Sequence, residues 1–164
     1  LLEAYAQLHQ DRRLLIVGDG SSREAVEMAA AKDKTIRYLG YMPPGEVNKF
    51  YSAVDAVIVP SLCYENSPTV IYEALSAGTP VIASRIGGVG ELVSEGVSGY
   101  LFIPGDQADF IRAVNELDAH KEQLIASGDL IRATVADFAL DKYAERLVEI
   151  IQAIVQRRKD SQYA

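Results

Sequence analysis

Two carboxylates, Glu65 and Glu73, are the residues of this chain whose type and spacing best suit chemistry. They flank the run Asn66-Ser67-Pro68-Thr69-Val70-Ile71-Tyr72, in which Ser67 suits a helix N-cap and Pro68 the first helical position. Gly78 and Pro80 then stop the helix and open a strand. This pattern predicts Glu65 in a loop and Glu73 two turns into the helix, so that acidic side chains bracket a helix N-terminus. Such a terminus offers free N–H groups and a positive dipole end to an anion. Carboxylates accept hydrogen bonds from sugar hydroxyls. Amides for phosphate beside carboxylates for hydroxyls are what a nucleotide-sugar site needs. Taken singly, Glu65 reads equally well as a loop charge and Glu73 as a solvated helix residue; the pair carries more weight than either.

Two further loops qualify as ligand contacts. Gly18-Asp19-Gly20-Ser21-Ser22-Arg23 is a tight turn into a helix that presents backbone amides, although it lacks the third glycine of a dinucleotide fingerprint. A plain strand-to-helix turn capped by Ser21 or Ser22 explains it as well. Ser84-Arg85-Ile86-Gly87-Gly88-Val89-Gly90-Glu91 pairs two glycines, which fit either close approach to a ligand or a sharp turn. His9 and His120 have no partner at metal-ligand spacing and read as surface residues, and Cys63 reads as a small loop or core residue. No metal site is expected.

The elements that must position these loops alternate along the chain. Short β-branched runs at Leu14-Val17, Ile36-Leu39, Ala56-Pro60, Pro80-Ser84 and Tyr100-Ile103 read as strands. Helical periodicity covers Ser21-Ala31, Pro44-Ala53 and Pro68-Ala77 between them. Repeated β-α units of this kind make a doubly wound α/β fold with a parallel sheet, whose ligands collect beyond the carboxyl ends of the strands. Beyond Gly105 the chain reads as helices at Gln107-Leu117, His120-Ser127 and Asp141-Lys159. The last carries Ala144, Leu147, Val148, Ile151, Ile154 and Val155 on one face, a stripe expected to pack on the domain. Its basic end, Arg157, Arg158 and Lys159, complements the negative pole of a helix C-terminus. Leu1, Leu2, Tyr5 and Leu8 stand at helical spacing with no capping residue before them.

Composition bounds the function. With 164 residues, 49% of them hydrophobic, the chain is the size of one domain able to bury a core. Sixteen basic against 23 acidic residues give a net charge of −7, which disfavours sequence-independent nucleic-acid binding. No apolar stretch approaches the roughly 20 residues a membrane span needs. A single cysteine forms no internal disulfide, so a reducing, cytoplasmic setting is expected.

Taken in order, these segments resemble a known family. Leu14-Leu15-Ile16-Val17-Gly18-Asp19-Gly20, Tyr38-Leu39-Gly40-Tyr41-Met42, Pro60-Ser61 leading to Glu65 and Glu73, Glu73-Ala74-Leu75-Ser76-Ala77-Gly78-Thr79-Pro80, Gly87-Gly88 and Gly99-Tyr100-Leu101 closely resemble the C-terminal half of family-4 (group 1) retaining glycosyltransferases. The resemblance implies a GT-B enzyme with two facing Rossmann-like domains, of which this is the one that binds a nucleoside-diphosphate sugar, with no cofactor beyond that donor. It implies that Glu65 lies by the transferred sugar and that Glu73 holds the ribose hydroxyls. The backbone of Ser67, Thr69 and Val70 would contact sugar and diphosphate, and Gly40, Tyr41 and Met42 would border the base. Gly18 and Gly20 would shape the cleft.

The sequence departs from the family pattern at Asn66-Ser67-Pro68, where a glycine, an aromatic residue and a second glycine are usual; Pro68 offers no N–H. The family's diphosphate-binding arginine and lysine, its first strand and its acceptor domain are all expected upstream of Leu1. The implied partners are therefore the donor and an N-terminal acceptor domain, with peripheral attachment of the whole enzyme to a membrane left open. A nucleotide-sugar 2-epimerase and a non-catalytic nucleotide-binding module are the competing readings. If the central strand of the sheet lies outside this sequence, Leu14-Val17 should pair with Ile36-Leu39 while Ala56-Pro60, Pro80-Ser84 and Tyr100-Ile103 form a separate sheet. The favoured source of the missing strand is an ordered segment before Leu1.

Overall fold

The computed structural model describes residues 1–8 and 11–162, with the side chains of 159–162 excepted; His9 lies outside the described residues. Five parallel strands form two sheets. The first pairs β1 (Leu14–Val17) with β2 (Ile36–Gly40), in register from Leu14 opposite Ile36 and shifted between Ile16 and Val17. The second has the order β3 (Val57–Val59), β4 (Val81–Ser84), β5 (Gly99–Phe102), with β4 in the middle. Strands β4 and β5 are buried at every position, as expected for parallel strands covered on both faces. β1 and β3 are not hydrogen-bonded to each other. That division matches the one drawn from the sequence, and direct closure of β1 onto β3 does not occur.

Helices cover both faces. α1 (Leu2–Tyr5) precedes β1, and between the strands run α2 (Arg23–Lys32), α3 (Pro44–Tyr51), α4 (Thr69–Ser76) and the short α5 (Val89–Leu92). After β5 come α6 (Gln107–Ala119), α7 (Lys121–Ala126), α8 (Gly128–Ala133), a 3-10 turn over Ala136–Phe138 and α9 (Leu140–Gln162). One core joins the two sheets: Leu14 and Ile36 cluster with Ile82, Tyr100 and Phe102 and with Tyr5, Phe110, Leu117 and Leu124 from α1, α6 and α7. The other face buries Val59, Val81, Ala83 and Leu101 under Tyr51, Ile71, Leu75, Leu92 and Ile131. At full burial each such aliphatic side chain is worth roughly 1.5–3 kcal/mol.

Three expectations are corrected. The stripe on α9 is not packed on the domain: Leu147, Ile151, Ile154 and Val155 are about half exposed. Every position of α9 whose side chain is described is exposed, and the helix meets the rest of the chain chiefly at the 3-10 turn. An amphipathic pattern fixes which face is apolar but not what lies opposite it. Short helices α5 and α8 and the 3-10 turn occupy stretches read as loop or left without an element, because they are too brief to show periodicity. Finally, α4 begins at Thr69, and Pro68, with ψ 119, is its N-cap instead of its first residue.

Candidate functional site

The loop from β3 to α4 carries the site. Its first part, Leu62 to Tyr64, is exposed, whereas Glu65 is half buried. A backbone clasp holds it: the Gly88 N–H donates to the Glu65 carbonyl at 3.1 Å. The clasp explains the paired glycines. A Cβ on Gly87 would strike the Glu65 carbonyl oxygen and one on Gly88 the Asn66 carbonyl oxygen, while Gly87 also has φ 56. So the close approach permitted by Gly87-Gly88 is to the chain's own β3–α4 loop. This contact between loops distant in sequence was open to neither turn nor ligand reasoning alone. The Cys63 thiol lies 3.5 Å from Glu65 Oε1, as a donor to it.

Helix α4 supplies the second half. The N–H groups of Thr69 and Val70 open the helix and have no intrahelical acceptor. Ser67 does not cap them with its side chain. Its Oγ forms a hydroxyl–hydroxyl hydrogen bond with Tyr72 at 2.7 Å. This corrects the N-cap reading of Ser67; Pro68 takes that position because its extended ψ suits an N-cap and its missing N–H costs nothing there. Glu73 follows Thr69 by one turn, not two from the helix start, and is exposed. Its Oε2 accepts a hydrogen bond from the Tyr51 hydroxyl at 2.8 Å. Burial, then the hydrogen bond to Glu73 and its charge, push the Tyr51 hydroxyl well above the ordinary tyrosine range, so it stays protonated and donating. Sequence reasoning missed Tyr51; only its place at the end of α3, before strand β3, hinted at it.

The two flanking loops meet at the ends of β1 and β2. The Gly18 N–H donates to the Gly40 carbonyl at 2.8 Å, and Tyr38 OH donates to the Gly18 carbonyl at 3.0 Å. Gly18 and Gly40 both adopt positive φ, 125 and 70, which L side chains rarely take. Gly20 does not; its N–H is held by Asp19 Oδ1 at 2.8 Å. Ser22 is the N-cap of α2 without a side-chain cap bond. Tyr41 is exposed and Met42 half buried beside Gly40. Thus Gly18 and Gly40 are brought together, as are Glu65 with Gly87-Gly88 and Glu73 with Tyr51. The Ser67 side chain turns to Tyr72, and with Tyr72, Arg132, Phe138 and Tyr143 the residue lines a cleft of about 650 Å³ between α4 and the segment entering α9. The remaining histidine, His120, is exposed, its Nδ1 near Tyr100 OH and the Glu116 carbonyl, a surface setting. No cluster of metal-ligating side chains is present among the described residues, and none of their helices is long and apolar enough to cross a membrane.

This geometry, glutamates around an α4 N-terminus at the carboxyl ends of parallel strands, coincides with a family match over residues 1–120, whose model is described as glycosyl transferases group 1. The chain belongs to that family. This group 1 glycosyltransferase domain is 34% identical over 121 residues to a D-inositol 3-phosphate glycosyltransferase of Corynebacterium urealyticum, covering 74% of this chain and 28% of the relative. It is 30% identical over 165 residues to the lipopolysaccharide 1,6-galactosyltransferase of Escherichia coli K12, covering 97% of this chain and 45% of the relative. The chain therefore spans less than half the length of either. Among solved structures, Anabaena HepE in complex with UDP-glucose superposes with a TM-score of 0.76 at 26% identity, over 93% of this chain and 44% of that one. The family and these neighbours make the fold a Rossmann-like domain of the GT-B glycosyltransferases.

Proposed function

We propose that this domain holds the donor of a retaining glycosyltransferase, which moves a sugar from a nucleoside diphosphate to an acceptor bound by a second domain. One observation carries the reading: Glu65 and Glu73 stand before and within α4, at the carboxyl end of β3, with Glu65 clasped by Gly88 and Glu73 by Tyr51. The complex of HepE with UDP-glucose supports a nucleotide-sugar donor.

In this reading Glu73 accepts hydrogen bonds from the ribose hydroxyls, and the Thr69 and Val70 amides face the diphosphate. Glu65 lies beside the transferred sugar. Gly40, Tyr41 and Met42 border the base, and Gly18 and Gly20 shape the floor. As the sugar leaves, negative charge grows on the diphosphate, and fixed amide dipoles stabilise it without reorganising. The reading assigns no metal and no cofactor to the reaction. Basic residues for the diphosphate, an acceptor domain and a cytoplasmic setting belong to the same proposal, as does the apolar face of α9 as a surface for that second domain. The 164-residue chain alone would then hold donor weakly and transfer nothing.

The test is incubation of the full-length protein with UDP-, GDP- and ADP-sugars and a panel of acceptors, following free nucleotide and the anomeric configuration of the product. Nucleotide release with a retained anomeric centre is expected. Epimerised nucleotide sugar, or binding with no turnover, would replace this reading by one of its two rivals.

A further inference from the structure

Tyr51 ends α3 with its ring buried at 6% exposure and its hydroxyl reaching α4, where it donates to Glu73 Oε2 at 2.8 Å. Its backbone is pinned as well. The hydroxyl of Thr79, itself 4% exposed, donates to the Tyr51 carbonyl at 2.9 Å, tying the end of α3 to the turn between α4 and β4. Both anchors are set by core packing, so the phenol oxygen is a fixed point. Glu73, by contrast, is an exposed helix residue with three side-chain torsions and would otherwise sample several rotamers in water.

We infer that Tyr51 is a positioning residue of the donor site, holding the Glu73 carboxylate in the rotamer that meets the ribose hydroxyls. The inference rests on the reading of Glu73 as the ribose ligand. A carboxylate has about four acceptor sites on its two oxygens, and one is occupied by Tyr51. Oε1 and the remaining site on Oε2 stay open for two vicinal hydroxyls. The orientation is settled before the donor arrives, so ordering Glu73 does not have to be met from binding energy. Burial keeps the phenol protonated, and so donating, well above neutral pH. The plain alternative is that Glu73 merely satisfies a buried tyrosine hydroxyl, as such groups require. That alternative gives Tyr51 no influence specific to ribose.

The two are separated by calorimetric titration of the full-length protein with UDP, GDP and ADP and with their 2′,3′-dideoxy forms, using wild type, Tyr51→Phe, Glu73→Ala and the double variant. Phenylalanine keeps the ring packing, and a thermal melt confirms that each variant is folded. Tyr51→Phe is expected to weaken the ribonucleotide about fivefold to twentyfold. It should leave the dideoxynucleotide unchanged and cost nothing further in the Glu73→Ala background. Unchanged ribonucleotide binding by Tyr51→Phe, or equal weakening of both forms, overturns the role of Tyr51 while a ribose-specific loss in Glu73→Ala leaves that of Glu73 standing. No loss in Glu73→Ala, or no binding of any of the three nucleotides, overturns the ribose reading and the present one with it.

Discussion

Glu65 and Glu73 sit on different supports, and the difference predicts different kinetics. Glu73 projects from a helix and is held through its side chain by Tyr51, whereas Glu65 is held through its backbone by Gly88. A ribose contact is made equally in the ground and transition states, so Glu73→Ala should raise the donor KM of the full-length enzyme about tenfold or more with little change in kcat. Glu65, if it lies beside the reacting sugar as proposed, should show the opposite split, with kcat falling further than KM rises. Steady-state kinetics on the two variants checks both, and two variants indistinguishable from wild type would remove both assignments. Gly88→Ala is a sharper structural case, because Gly88 has an ordinary helical φ of −79 and the nearest obstacle to a Cβ is the Asn66 carbonyl. Relieving that overlap should cost about 1–3 kcal/mol. We expect a lower melting temperature together with reduced turnover, since the displaced strand of chain carries Glu65.

At the scale of elements, strands were more legible than helices, and helix bodies more than their ends. All five strands were read within about a residue or two, since β-branched runs bounded by turn residues have few other readings. The N-cap of α4 was misread by one residue because Ser67 and Pro68 both suit helix starts, and the choice was made by Tyr72, whose hydroxyl takes Ser67. The clasp between Gly88 and Glu65 and the bond from Tyr51 to Glu73 join residues 23 and 22 positions apart, contacts that no local pattern encodes. A local cap does behave as the sequence rules require in α6, where Asp106 accepts the Asp109 N–H at 3.0 Å. Asp106→Ala should cost about 1 kcal/mol. Calorimetry should show a melting point lower by about 2–4 °C, with donor binding unchanged, because α6 packs on the core face away from α4. The neighbouring Asp109 carboxyl is held below the ordinary aspartate range, first by Arg112 and then by the Ile103 N–H. Its folded-state value is lowered, so its contribution is present at neutral pH and disappears as pH falls through that value. Asp109→Asn should therefore be less stable than wild type at neutral pH and converge with it in acid below about pH 4, as read by denaturant unfolding at each pH.

In the molecule as a whole, β1 and β3 are edge strands of their sheets, and the apolar stripe along α9 is exposed among the described residues. Strand edges recruit other strands, and exposed Leu147, Ile151 and Ile154 recruit apolar partners. The 164-residue chain on its own should accordingly self-associate as its concentration rises, and light scattering should show this reduced, with the contribution of the strand edges left, when the stripe is made polar by Leu147→Glu and Ile151→Glu. The same surfaces explain what the sequence could not disclose: periodicity marks a face as apolar, but its partner lies outside any helix or strand that carries the pattern. Where the donor sits is decided by a crystal structure of the full-length protein with a bound nucleoside diphosphate. The expected result is the ribose hydroxyls on Glu73, the diphosphate against the Thr69 and Val70 amides, and the Tyr51–Glu73 bond retained. Nucleotide seated instead in the cleft lined by Ser67, Tyr72 and Phe138, with Glu73 untouched, would contradict it.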